Sequence, residues 1–137
     1  MEDPRNPYPI DTSFPKREKL KGKKLIETLF TEGKNQGRGP LKLIYLKTDF
    51  EDGVPVKVAV VAPKRKFRHA VDRNRVKRLL REAYRLNKPL LFNNIEGSYA
   101  FLFLYLGPSL PDFDRVDRAM KELITAFLKK ESHEENT

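Results

Sequence analysis

The chain contains no cysteine, which excludes a disulfide framework and a thiolate metal site and fits a reducing compartment. It has only two histidines, His69 beside Arg68 and His133 near the C-terminus, and a histidine beside arginines is more often an RNA-facing or capping group than a general base. The acidic residues are scattered, and no single segment carries a carboxylate pair placed for two-metal catalysis. Lys64-Arg65-Lys66 follows an apolar run, but no glycine-rich loop accompanies it, which disfavours nucleotide hydrolysis. The longest apolar run, Tyr99–Leu106, has the length of a strand and falls far short of the roughly 20 residues of a membrane helix. The N-terminus, MEDPRNPYPI, lacks a basic stretch followed by an apolar one and so carries no secretory signal. These absences describe a soluble, cytoplasmic protein that is not expected to catalyse on its own, while Asp72 and Asn74 stay open as contacts to a bound Mg²⁺.

What the chain has is charge, and it is local. Of 137 residues, 28 are Lys or Arg and 19 are Asp or Glu, giving a formal net charge of +9. The segment from Lys64 to Lys88, KRKFRHAVDRNRVKRLLREAYRLNK, holds all of that excess, because basic and acidic residues balance elsewhere. A one-sign segment of this kind calls for a polyanionic partner. On a helix at 100° per residue, positions 72–88 place Val76, Leu79, Leu80, Ala83, Tyr84 and Leu86 on one arc. Asn74, Lys77, Arg78, Arg81 and Arg85 fall opposite, with Arg73 and Arg75 near the borders. Asp72 stands where an N-cap would, and Pro89 where the helix would stop. A solubilising surface mixes both signs, so this stripe reads as a face for phosphates.

The rest of the chain reads in order as follows. Residues 1–15 are proline-rich and without periodicity, a flexible N-terminal arm. Lys16, Arg17, Lys19, Lys21, Lys23 and Lys24 form a second basic cluster with Glu18 its only acid. Leu25, Ile26, Leu29 and Phe30 then make a short amphipathic helix with Gly33 as its stop. Gly33–Pro40 reads as a flexible loop, Leu41–Lys47 as a strand, and Asp49–Gly53 as a turn. Val56–Ala62 is a nearly all-apolar strand expected at the centre of its sheet. Tyr99–Leu106 is a third strand, and a last helix starts near Asp112 with Phe113, Val116, Met120, Leu123, Ile124 and Phe127 as its stripe. Residues 131–137 read as a flexible tail. The expected architecture is an α+β sandwich in the order α-β-β-α-β-α, one domain over 16–130. The second and third strands are placed as parallel neighbours joined by the basic helix.

In the third strand, Tyr99, Phe101, Phe103 and Tyr105 alternate and share one face. Such a face can stack bases or form core, and since both faces of this strand are apolar the core reading is preferred.

The run Ala70-Val71-Asp72-Arg73-Asn74-Arg75-Val76-Lys77-Arg78-Leu79-Leu80-Arg81-Glu82-Ala83-Tyr84 resembles the signature of the protein subunits of bacterial ribonuclease P. Phe14–Leu20 (FPKREKL), Leu43–Lys47 (LIYLK) and the expected element order support the resemblance, which spans about residues 14–130. It implies a fold like ribosomal protein S5 domain 2, with a left-handed β-α-β crossover. It also implies binding of a catalytic RNA and of the 5′ leader of precursor tRNA, so that the RNA, with Mg²⁺, removes the leader and leaves the mature tRNA 5′ end. The protein alone would be inactive and would need no obligate protein partner. By position, Arg73, Asn74, Arg75, Lys77, Arg78 and Arg81 would face the catalytic RNA, and Lys64, Arg65 and Lys66 match basic residues that end the second strand; Arg68 and Arg85, from the same basic segment, are read as RNA-binding with them. Phe30 and Tyr45, flanked by Lys16 and Arg17, would line the leader cleft. Ile26 stands where relatives often carry a cleft phenylalanine, and Lys66-Phe67-Arg68-His69 replaces a turn with glycine before the Ala-Val pair. The competing readings are a free-standing single-strand RNA-binding module like an RRM, with the Tyr99–Tyr105 face as its platform, and a self-sufficient metal nuclease. The first lacks the element order and signature, the second its ligand cluster.

Overall fold

The structure is a computed structural model that describes residues 13–135, with side chains to Glu131. A four-stranded sheet runs in the order β1-β2-β4-β3, from β1 (Lys34–Arg38), β2 (Leu41–Lys47), β3 (Val56–Val61) and β4 (Tyr99–Tyr105). Its β3–β4 pair is parallel and the other two pairs are antiparallel. On one face lie α2 (Ala70–Phe92) and α3 (Phe113–Glu135), and on the other α1 (Lys23–Glu32). The α+β class and the parallel neighbours joined by the basic helix are as expected.

Period-two alternation divides the sheet between two cores. Leu41, Leu43, Tyr45, Tyr99, Phe101, Phe103 and Tyr105 face α2 and α3, where they meet Val76, Leu80, Tyr84, Met120, Ile124 and Phe127. The alternating aromatics are therefore core: Phe101 lies edge-on to Phe127 with centroids 4.9 Å apart. Ile44, Ala100 and Leu102 face the other way, against Leu20 and Leu29.

Several expectations are corrected. The stretch 33–40 is not a loop: β1 forms a hairpin with β2, so the order is α-β-β-β-α-β-α. KNQGR has no apolar alternation to betray a strand, and as an exposed edge it needs none. The apolar β3 is an edge strand, not a central one. Its free edge is met by the N-terminal segment, where Leu20 N donates to Val58 O at 2.9 Å and Lys19 bridges to Val58. Helix α2 begins at Ala70 with His69 as a cap that makes no side-chain bond, so Asp72 sits inside the first turn, where its charge still suits the dipole. The helix also continues past Pro89 to Phe92. A proline in the last turn removes one hydrogen bond, and burial of Leu91 beyond it holds the turn in place. Leu86, assigned to the core arc, is 46% exposed. Its neighbour Asn87 points inward instead, donating to Ala83 O and to Asp117 Oδ1 of α3 at 2.8 Å.

The arm expected at 1–15 falls mostly outside the described residues, but Ser13–Pro15 are docked: Phe14 packs on Tyr84 with centroids 5.5 Å apart. The tail expected at 131–137 is helical to Glu135, and positions 136–137 lie outside the described residues. Helix α3 begins as expected, with Asp112 Oδ1 accepting from Arg115 N at 2.8 Å.

Gly33 follows α1, but its φ of −69° is ordinary, so a left-handed stop is not the reason for glycine. The reason is proximity: a Cβ there would lie 2.5 Å from Leu29 O and 2.7 Å from Ile44 Cγ2. Gly33→Ala is expected to push α1 off β2 and destabilise the protein by about 1–3 kcal/mol, read as a lower urea midpoint with an unchanged m-value. A midpoint equal to that of the original protein would show that this contact yields freely.

Candidate nucleic-acid interface

Helix α2, about 34 Å long at 1.5 Å per residue, carries seven basic residues against two acidic ones, more than half of the chain's net charge of +9. Its inner side, through Val76, Leu80, Ala83, Tyr84 and Leu91, is buried. With that face pinned, Asn74, Arg75, Arg78 and Arg81 stand exposed, and Lys77 is half-buried beside them. The loop leading into the helix is also built, not loose. Phe67 is buried against Tyr105, centroids 5.7 Å apart, and Lys66 N and Phe67 N both donate to Pro63 O at 3.1 Å. That plug leaves Lys64, Arg65, Lys66 and Arg68 exposed around it.

Not every cation of the segment is offered to a partner. Arg73 Nη1 donates to Phe67 O at 2.8 Å and Arg68 O at 3.1 Å, so this side chain clasps the loop to the helix. Arg85 makes a forked contact with Glu82, 2.5 Å at its shortest. The carboxylate holds the Arg85 pKa above its ordinary value and is itself lowered by the bond.

Lys88 departs furthest from the stripe. It is 1% exposed, with Nζ 2.7 Å from Oε1 of Glu18, itself 4% exposed. It donates its aligned hydrogen bond to Ser13 O, at 2.7 Å. Desolvation by burial, with Glu18 adding to it, pushes the Tyr84 phenol far above its ordinary pKa. This ion pair sews the N-terminal segment to the C-terminal half of α2. Sequence reasoning missed it because a lysine in a basic run looks like one more surface cation. The available signal was its position, four residues after Tyr84 on the apolar side.

The cleft expectation for aromatics is corrected in part. Phe30 is 54% exposed on α1, but Tyr45 is 1% exposed and its ring lies 4.9 Å from that of Phe127, on the opposite face of the sheet. Strand alternation separates them: in Leu41–Lys47 the residues facing α1 are Lys42, Ile44 and Leu46. The α1-side surface is therefore mainly aliphatic, with Leu46, Ala59, Val61 and Leu104 half-buried beside the helix and Phe50 partly buried against the same cluster. Lys42, paired with Leu104 across the strands, is a cation on that face that the sequence reading passed over. Lys16 and Arg17 are exposed in a single 3₁₀ turn (Lys16–Glu18) ahead of α1, at the opposite end of that helix from Phe30. Among the described residues no cluster of three His, Asp or Glu side chains is placed to hold a metal ion.

Against known proteins, residues 14–128 match the family described as Ribonuclease P. The chain is 40% identical over 117 residues to the ribonuclease P protein component of Porphyromonas gingivalis, covering 83% of this chain and 85% of that one. It is 32% identical over 128 residues to the same component from Chlorobaculum tepidum, covering 85% and 83%. Among solved structures, the RNase P protein of Staphylococcus aureus superposes with a TM-score of 0.65 at 13% identity, covering 80% of this chain and 94% of that one. The Thermotoga maritima protein gives 0.64 at 21% identity, covering 79% and 96%. At such identities these two likenesses speak for the fold.

Proposed function

We infer the role of this protein from its kinship and its charge: the chain belongs to the ribonuclease P protein family, and it is a subunit of ribonuclease P, acting in tRNA 5′ processing. We propose that it cleaves nothing alone. It binds the catalytic RNA subunit through the outer face of α2 and the Phe67 loop, and it steadies the 5′ leader of precursor tRNA. The RNA hydrolyses the phosphodiester bond that joins the leader to the tRNA, with Mg²⁺ bound mainly by RNA. Magnesium supplies charge neutralisation at the phosphate and activation of water. The protein supplies fixed cations at set spacing, which lower the cost of bringing two polyanions together. No helix among the described residues is long and apolar enough to cross a membrane.

The observation that carries this reading is the one-sign face of α2. Asn74, Arg75, Arg78 and Arg81 are exposed on a helix whose other side is core, so the cations are held at fixed intervals on a rigid rod. The leader surface is assigned to the α1 side of the sheet, with Phe30 as its aromatic, Lys42 on its floor, and Lys16 and Arg17 at its entrance. Phe30 is its exposed ring, Phe50 is a second, partly buried aromatic on the same side, and the remainder of the surface gives apolar contact to sugars and bases.

The test is cleavage of precursor tRNA at low magnesium by the protein, by its cognate RNA and by the two together. The mixture is expected to release the 5′ leader, and the protein alone to release nothing. Cleavage by protein alone would overturn the division of labour, and inactivity of the mixture despite tight RNA binding would favour a general RNA-binding module.

A further inference from the structure

The cluster from Lys16 to Lys24 contains one acid, Glu18, and the fold removes it from the surface by burying it against Lys88. What remains outside has one sign. The same ion pair draws the N-terminal segment across α2, while Lys19 and Leu20 run along the edge of β3. Between segment and helix lies a groove of about 220 Å³. Its rim carries Lys19 and Lys21 from the segment and Arg81 from α2, and its floor is formed by Phe14, Leu20 and the strand around Ala59. Among the described residues no acidic one lines it.

Within the described residues neither Lys21 nor Arg81 makes a hydrogen bond or ion pair, and Lys19 lies only over the Phe14 ring, 5.7 Å from its centroid. Just past Lys21, α1 starts at Lys23 with no side-chain cap and no acid in its first turn, so its own first turn does not offset the dipole at that end. Three cations from two separate elements, over an apolar floor, form a site for a phosphate ester whose sugar rests on the floor.

We propose that the groove between the N-terminal segment and α2 grips a backbone phosphate of RNA, with Lys19 and Lys21 on one side and Arg81 on the other. The inference rests on the ribonuclease P reading and adds a second contact to it, away from the Phe67 loop. The phosphodiester belongs either to the catalytic RNA or to the precursor tRNA leader. The buried Glu18–Lys88 pair is the positioning device, since the two halves of the site meet only when the segment is docked.

The test compares the full-length protein with the double variant Lys19→Gln, Lys21→Gln, and with the charge-matched control Lys129→Gln, Lys130→Gln on the exposed side of α3. Affinity is measured against salt in two arms: protein with the catalytic RNA, and assembled holoenzyme with precursor tRNA carrying a leader. The groove variant is expected to lower the log–log salt slope by roughly one to two units in one arm, and the arm that moves names the source of the phosphate. Unchanged slopes in both arms, for a variant that melts like the original protein, overturn the site. An equal slope change in the control also overturns it, since net charge alone would then account for the effect. A groove variant that melts lower is replaced by Lys21→Gln alone, a side chain with no partner among the described residues, with the same two outcomes at about half the size. If the unaltered protein binds neither RNA, the ribonuclease P reading fails and takes this site with it.

Discussion

Lys88→Met is expected to destabilise the protein by about 3–5 kcal/mol, the usual cost of stranding one member of a buried ion pair. A domain of this size is held by only about 5–15 kcal/mol, so the change removes a large part of the total. The cost arises from Glu18, which is 4% exposed and would lose the cation that lies 2.7 Å from it, and from Ser13 O, which would lose the hydrogen bond from Lys88. Methionine itself fits the stem of lysine and adds little strain. The double variant Lys88→Met, Glu18→Leu is expected to recover most of the loss, because no charge then remains to desolvate. Urea unfolding followed by circular dichroism reads both. A single-variant loss below about 1 kcal/mol would mean that Glu18 is reached by water when Lys88 is gone. A double variant no better than the single would place the cost in packing, not in charge.

The second large effect is on binding. Arg75→Gln with Arg78→Gln is expected to leave unfolding within about 0.5 kcal/mol of the original, as exposed positions usually do. It should weaken binding of the catalytic RNA by roughly ten- to thirty-fold at moderate salt and flatten the salt slope by about two units. Both side chains are exposed on α2 and make no hydrogen bond or ion pair with other described residues, so what they lose on substitution is what they give to a partner. Arg73 makes the poorer probe despite its place in the same motif. Its bonds to Phe67 O and Arg68 O mean that Arg73→Gln would loosen the loop by about 1 kcal/mol and so mix a folding effect with a binding one. Unchanged affinity and slope in the Arg75, Arg78 variant would remove this helix face from the RNA interface.

The two experiments separate what one basic segment hides. Lys88 and Arg78 look alike along the chain, yet one is a buried structural cation and the other an exposed one. Their variants should fail in different assays.

Periodicity and charge in the sequence were enough for the three helices, three of the four strands, the parallel pairing beneath the basic helix and the outer face of that helix. Those features are local: a helix or strand shows its buried face in its own spacing, and a run of one sign needs no partner to be visible. Tertiary contact decided the rest. KNQGR became a strand because β2 offered it an edge, and Val56–Val61 took the sheet's other edge because α2 carried the chain to a position between it and β2. Tyr45 was lost to the cleft and Lys42 gained by it, because alternation says which residues share a face but not which helix covers that face. The same limit applies to charge. Whether a lysine meets water, RNA or a buried glutamate depends on what lies across from it, and for Lys88 that is Glu18, seventy residues earlier in the chain.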